Sequence, residues 1–576
     1  MMNYKKYLTA TALGFSLLSG AYGQSPKFTI NGLGRSVVTN NNISGALVDA
    51  DSTVQKSGVS GYNLFDLQTN LAVDSSFQAM AIFRARSPFG SFFGATTGFE
   101  FRQFNMSGKL QNFKYQIGDL RVELTPFTVF NSNLAGTGYE SDIFKERREI
   151  QEYENFNLGN SWLLQGVSGQ YFLPIGEEGT GLGLFAFTTR NTSTNETTVP
   201  DRLLSGGRLA FHLKKMLQVG VNAVAMYDIT MLETEFDYDN QVYTGDIKYV
   251  MDNNDLRFEV GIEGGMSNYF YSEYRDNDTV IGRVDTSYQD GFIDLNIGAV
   301  LKNLKLKFDL SGRRVGVLFS SPSAQSRRFD PLNQPALFPN TQSGTRYWSM
   351  FDRVTSEDMY NSKITPIFMS YVGLYNMATP YGKATPNRQG GSLAVATDTS
   401  MKSIEASAKF TYLTEIQGEG TDDLTAFMVA SGGTFLHIGQ MLGSSRIVDV
   451  NLGGRYESAN RGGSASISYS TLLADAGLSV EVLKKIDLLG GFKYISGEGT
   501  AYNSFRDGFN LITDFTRYDG KYSETILTFG ARIRFSPTQK FVVNYNLSNN
   551  SVSDNVLGSS TNYGISQLFF NYTGTF

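Results

Sequence analysis

In segment after segment of this chain, apolar residues recur at every second position with polar residues between them. Leu256, Phe258, Val260 and Ile262 alternate with Arg257, Glu259, Gly261 and Glu263. Ile293, Leu295, Ile297 and Ala299 alternate with Asp294, Asn296 and Gly298, and Leu304, Leu306, Phe308 and Leu310 with Lys305, Lys307, Asp309 and Ser311. The same pattern runs through 404–412, 448–456, 527–535 and 541–548, and it closes the chain: counting back from Phe576 in twos gives Gly574, Tyr572, Phe570 and Leu568, against Thr575, Thr573, Asn571 and Gln567. A period of two places each set on its own face of a strand, so the chain must build a wall with one greasy and one hydrophilic side.

Half-buried strands of a soluble β-sandwich also alternate, and the rest of the sequence separates the two cases. Residues 1–23 read as a secretory signal peptide, with Lys5 and Lys6 ahead of an apolar stretch from Leu8 to Leu18, and a small-residue cleavage site at Ala21-Tyr22-Gly23. No run approaches the roughly 20 apolar residues of a membrane-spanning helix, whereas the alternating segments match the ~9–11 residues of a tilted membrane strand. With 43 Phe, 31 Tyr and 60 Gly but only 41% hydrophobic residues, apolar character is spread thinly along faces instead of being massed in blocks. The fold expected is an all-β, antiparallel, up-and-down transmembrane β-barrel occupying residues 24–576 as one domain.

Composition also narrows function. The chain has no Cys and only two histidines, His212 and His437, on separate predicted strands, so neither a thiolate metal site nor a nucleophile and base set is legible. No enzyme activity, cofactor or metal is expected. A net charge of −6 without a basic stretch gives no nucleic-acid footprint.

Connections alternate in length. Tight polar turns are expected at 74–76, 108–112, 213–216, 301–304, 483–486 and 536–539, and long excursions at 39–61, 192–202, 232–255, 275–289 and 498–521. This division gives 16 to 20 strands, with 18 preferred, and a cylinder of that size is too wide for its own side chains to fill.

The inward positions on the predicted strands carry charges of both signs: Arg84, Arg86, Arg257, Glu259, Lys305, Asp309, Glu405, Lys409, Asp449, Arg455, Arg532 and Arg534. Such a density implies a wet interior, either conducting or crossed by ion pairs. The longest interruption, a loop insertion at 320–399, gathers Arg327, Arg328, Arg346, Trp348 and Arg353 among its prolines, a combination suited to a ligand or partner surface and equally to an external lid. A second irregular stretch, 125–160, concentrates Glu140, Asp142, Lys145, Glu146, Arg147, Arg148, Glu149, Glu152 and Glu154. Charge alone makes it a solvated loop or short helix; folded inward it would form a constriction.

The terminal Phe576, with Tyr572 four residues before it, resembles the C-terminal signal of Gram-negative outer-membrane β-barrels, and the architecture resembles that class across the whole chain after the leader. The resemblance implies residence in outer-membrane lipid, contact with the barrel-assembly machinery through the last strand, and long extracellular loops. It implies a porin-like channel for passive passage of small polar solutes. The alternative is a non-conducting barrel serving as scaffold or accessory subunit of a secretion or assembly complex, and both homo-oligomers and secretion partners stay open. No plug domain of an energised receptor is legible ahead of Phe28.

Overall fold

The computed structural model describes residues 26–46, 57–74, 76–88, 97–130, 137–155, 162–192, 201–229, 237–277, 280–324, 376–506 and 512–576. The predicted signal peptide and Arg327, Arg328, Arg346, Trp348 and Arg353 lie outside the described residues.

The chain forms 22 strands in one antiparallel sheet in which each strand pairs with its sequence neighbours and β1 (Lys27–Gly45) pairs with β22 (Ser559–Thr575), closing the cylinder. Between them run β2 (Ser57–Ala72), β3 (Gln78–Pro88), β4 (Gly98–Leu110), β5 (Phe113–Val122), β6 (Trp162–Pro174), β7 (Gly181–Thr192), β8 (Asp201–Leu213), β9 (Leu217–Ile229), β10 (Asp237–Asp252), β11 (Leu256–Asn277) and β12 (Val280–Leu301). The second half comprises β13 (Leu306–Val315), β14 (Arg388–Thr397), β15 (Ile404–Thr414), β16 (Ala426–His437), β17 (Val448–Arg461), β18 (Ile467–Leu483), β19 (Ile486–Arg506), β20 (Ile512–Ser536) and β21 (Gln539–Asp554). Two α-helices are described: α1 (Asp142–Asn155) between β5 and β6, and the short α2 (Ile438–Met441).

Following paired residues once around the cylinder displaces the register by about 26 residues; with ~3.3 Å per residue and ~4.8 Å between strands this gives a tilt of about 39° and a backbone diameter of about 43 Å. The exposed large apolar residues fall on one parity of the strands: Ile293 and Leu295, Phe410 and Tyr412, Leu527 and Phe529, and Tyr572 on β22. Their neighbours of the other parity are buried or polar, so the lipid face and the lumen face separate as the alternation requires.

The count of 22 exceeds the 18 expected. The windows 232–255, 275–289 and 498–521, read as long loops, hold all of β10, the start of β12, and the adjoining ends of β19 and β20. These strands run well past the length needed to cross a bilayer, and outside the bilayer neither face has to be apolar, so the two-residue signal fades while backbone pairing continues. The 320–399 interruption likewise contains β14. Short turns mark one end of the cylinder, where Lys214, Lys305 and Lys485 adopt left-handed φ angles of 52°, 55° and 70°. Lys305 is therefore an exposed turn residue and not part of the lumen wall, because β13 begins one residue later.

Closure depends on the last residue. Phe576 N donates to Gly32 O at 3.1 Å and accepts from Gly32 N through its own carbonyl at 3.0 Å, while its ring stacks on Phe65 with centroids 5.7 Å apart. A Cβ on Gly32 would lie 2.2 Å from the Phe576 ring. Gly32→Val is expected to displace that ring and destabilise the seam by about 1–3 kcal/mol. The check is the urea midpoint of refolding into lipid vesicles, which should fall in the variant.

Candidate functional site in the lumen

The connection between β5 and β6 turns into the cylinder, and what it touches is inner wall. α1 has Asp142 in its first turn and no basic residue in its last, so its own sequence favours only the N-terminal end of the helix dipole. The wall supplies the other end: Arg84 Nη1 of β3 donates to the Glu154 carbonyl at 2.9 Å. The Glu154 carboxylate is held by Arg35 of β1 and by Arg86 Nη2 of β3 at 2.8 Å. Arg84 also forks onto Asp66 of β2, with Nε–Oδ1 and Nη2–Oδ2 both 2.7 Å. Arg102 of β4 reaches the same carboxylate at 2.9 Å, and the Tyr153 hydroxyl donates to it at 2.7 Å. Burial, reinforced by the bond to Asp66, pushes the Tyr153 phenol up and keeps it a donor.

The rest of the segment is anchored just as widely. Arg147 donates to Gln567 of β22 at 2.7 Å and lies 4.1 Å from the Phe569 ring centroid. Glu146 pairs with Lys540 of β21 at 2.7 Å, and Asp142 with Arg532 of β20 at 3.2 Å. Glu140 joins Lys493 of β19 at 2.6 Å and Arg148 at 2.7 Å. Burial opposes the ionisation of Glu140, but the two cations outweigh it and hold its carboxyl below the usual range. Thr137 donates to Asp475 of β18 at 2.9 Å, and the Tyr139 hydroxyl shares a 2.7 Å bond with Ser407 of β15.

Two features of the wall receive this segment. Gly433, Gly453, Gly477 and Gly491, on the inner face of β16 to β19, form a trough: an added Cβ would meet Tyr139 at 2.7 Å, Thr137 at 2.4 Å, Ser141 at 2.1 Å and Ile143 at 2.6 Å respectively. Apolar patches then hold the helix, Ile143 and Phe144 against Leu489 and Ile526, and Ile150 against Val37, Tyr62, Leu64 and Phe569.

The described ends of the connection between β13 and β14, 316–324 and 376–387, also enter. Phe127, from the chain leading to α1, stacks on Phe292 with centroids 3.9 Å apart inside a cluster with Val242, Val315, Phe319, Ala324 and Ala384. The two connections bond to each other, Phe130 N to Ser323 O at 2.9 Å and Ser321 Oγ to Phe127 O at 2.8 Å. At the far end of the second connection, Ala378 N donates to Glu457 of β17 at 2.7 Å, and Lys383 pairs with Asp294 of β12 at 3.2 Å.

The twelve charges expected inside thus have distinct settings. Arg84, Arg86 and Arg532 bind the lodged segment. Arg532 and Arg534 also share Asp487 at 2.8 and 2.7 Å. Arg455 pairs with Glu457 at 2.8 Å. Asp449 and Glu405 flank His437 at 3.0 and 3.7 Å, so this histidine serves the wall. Glu259 pairs with Lys248 at 2.6 Å and loosely with Arg257 at 3.7 Å, Asp309 pairs with Lys307 at 3.0 Å, and Lys409 lies near Asp309. Sequence reasoning missed Arg35, Asp66, Arg102 and Lys493. The inward apolar residue Phe569, which breaks the polar parity of β22, was the available mark of a docking surface.

Fold and site together define a transmembrane β-barrel whose lumen is narrowed from within by its own connections. Among solved structures the chain is similar to the OccK2 (OpdF) protein of Pseudomonas aeruginosa, at 9% identity over 95% of this chain and 98% of that one, with a TM-score of 0.35. It is similar to a BenF-like porin of Pseudomonas fluorescens Pf-5 at 7% identity over 96% and 99%, TM-score 0.34, and to the outer membrane protein OpdK of Pseudomonas aeruginosa at 9% over 95% and 99%, TM-score 0.32. Comparison with protein-family models and with curated proteins finds no match.

Two outcomes are expected of the anchoring. Glu154→Ala leaves Arg35 and Arg86 buried without their carboxylate, costing about 3–5 kcal/mol; a spin label on Lys145→Cys, exposed on α1, should become more mobile while strand content is kept. Because the Glu140 pKa is depressed, its contribution is present above the ordinary carboxylate range and is lost as pH falls through the lowered value. Lys493→Met, which removes one of the two cations, should move this acid loosening to higher pH by the same spin-label readout.

Proposed function

We propose that the protein is a passive channel of a Gram-negative outer membrane, passing small polar solutes through a lumen narrowed by α1 and by the β13–β14 connection. One observation carries this reading. Toward the short-turn end, lumen-side Arg257, Lys307, Asp309 and Glu405 remain 46% to 67% exposed within a cylinder whose other face is apolar. Charges that accessible on the inside of a greasy wall require water there, and a bore about 43 Å across at the backbone leaves room for it. The lodged segment then sets the size limit, since its helix occupies about 10 Å of that bore.

Planar bilayers test this directly. Purified full-length barrel should give discrete conductance steps, and Glu154→Ala should enlarge them or make them flicker as α1 loosens. A heat-modifiable, folded barrel that inserts and stays silent in both forms would contradict the proposal.

A further inference from the structure

Most inner-wall charges are matched within the protein, but Arg313 of β13 and Lys409 of β15 are not. Neither makes a hydrogen bond or ion pair among the described residues, and Arg313 Nε is buried without an acceptor. Their nearest anions are shared with other cations: Asp294, directly opposite Arg313 in register, is bound by Lys383 through Oδ2 while its Oδ1 has no donor among the described residues, and Asp309 is bound by Lys307. Lys409 instead faces three like charges, Arg313, Lys383 and Arg455.

The wall between these cations is almost bare. β14 presents Gly390, Ser392 and Ala394 to the lumen, with Gly390 opposite Arg313 and Ala394 opposite Lys409. Ser431 of β16 stands in register between Lys409 and Arg455. Ser311 and Ser392 share a 2.7 Å hydroxyl contact on the same floor. Small residues leave a hollow into which long cationic side chains can turn. On the neighbouring strands the carboxylates Asp246, Glu263 and Asp294 sit side by side in register, with Arg208 on Asp246 at 2.8 Å and Lys383 on Asp294, so the wall changes sign between β12 and β13.

A buried donor without an acceptor, beside mutually repelling cations, is stabilised by an anion. We propose that this hollow binds a small oxyanion, a carboxylate or a phosphate, with Arg313 offering its planar fork and Lys409 a mobile point charge. The proposal deepens the channel reading and rests on it, naming anionic solutes as the class that dwells in the lumen.

Succinate and inorganic phosphate are the probes, used on full-length protein in two measurements: block of chloride current in bilayers, and calorimetry in detergent. Whichever binds identifies the oxyanion. The double variant Arg313→Gln, Lys409→Gln should weaken binding and block at least about tenfold. Lys402→Gln, the same charge change as Lys409→Gln alone but at an exposed turn, should leave both unchanged. Lys409→Gln alone, at an exposed site, covers the case in which the double variant fails to fold and should weaken binding in the same direction. Current that neither probe blocks, with no heat of binding, would overturn the inference and leave the channel reading standing. Binding lost in the variants but with no conductance in any form would keep the site and remove the channel. Equal binding by wild type and variants would also overturn it.

Discussion

A sheet that closes on itself has no edge, and that constraint organises everything else here. In lipid there is no water to satisfy a free backbone N–H or C=O, so a strand-built wall is stable only when its last strand bonds to its first. The β1–β22 register, continued by the paired bonds of Phe576 to Gly32, completes the ladder. Closure fixes parity as well: a slip of one residue would turn the Leu568, Phe570 and Tyr572 face inward and send Gln567, Asn571 and Thr573 into lipid.

Closure at 22 strands also creates a problem, because the lumen is far wider than side chains can fill. The chain answers it with its own connections. Buried charges of α1 and its approach would be costly without partners, and they are met by wall residues from β1, β3, β19, β20, β21 and β22. Glycines make room where the side chains of Thr137, Tyr139, Ser141 and Ile143 press against the wall, and inward apolar residues interrupt the polar face where the helix packs. Arginines at the C-terminal end of α1 complete a helix dipole that its own sequence leaves uncompensated.

The class of fold was legible from the two-residue period, because the membrane imposes that period wherever a strand crosses it. Strand number was not, because β10, β12, β19 and β20 continue into water, where polarity no longer distinguishes strand from loop. The position of 125–160 was hidden for a related reason: its charges look solvated when read along the chain, and their partners lie hundreds of residues away, as with Arg147 and Gln567 or Glu140 and Lys493. Individual arginines such as Arg84 and Arg532 could be picked out by parity, but their roles depend on which connection folds onto them. The trough of Gly433, Gly453, Gly477 and Gly491 needs four registers at once to be seen, and no single strand displays it.

All of this requires a closed wall with lipid outside and a polar, partly filled lumen inside. It is tested most directly by spin-label accessibility along residues 563–573 of β22, scanned one cysteine at a time in a chain that has none of its own. Labels at 568, 570 and 572 should collide with oxygen dissolved in lipid, while those at 567, 569 and 571 should not. A profile with no two-residue period, or lipid contact at 567 and 571, would contradict it.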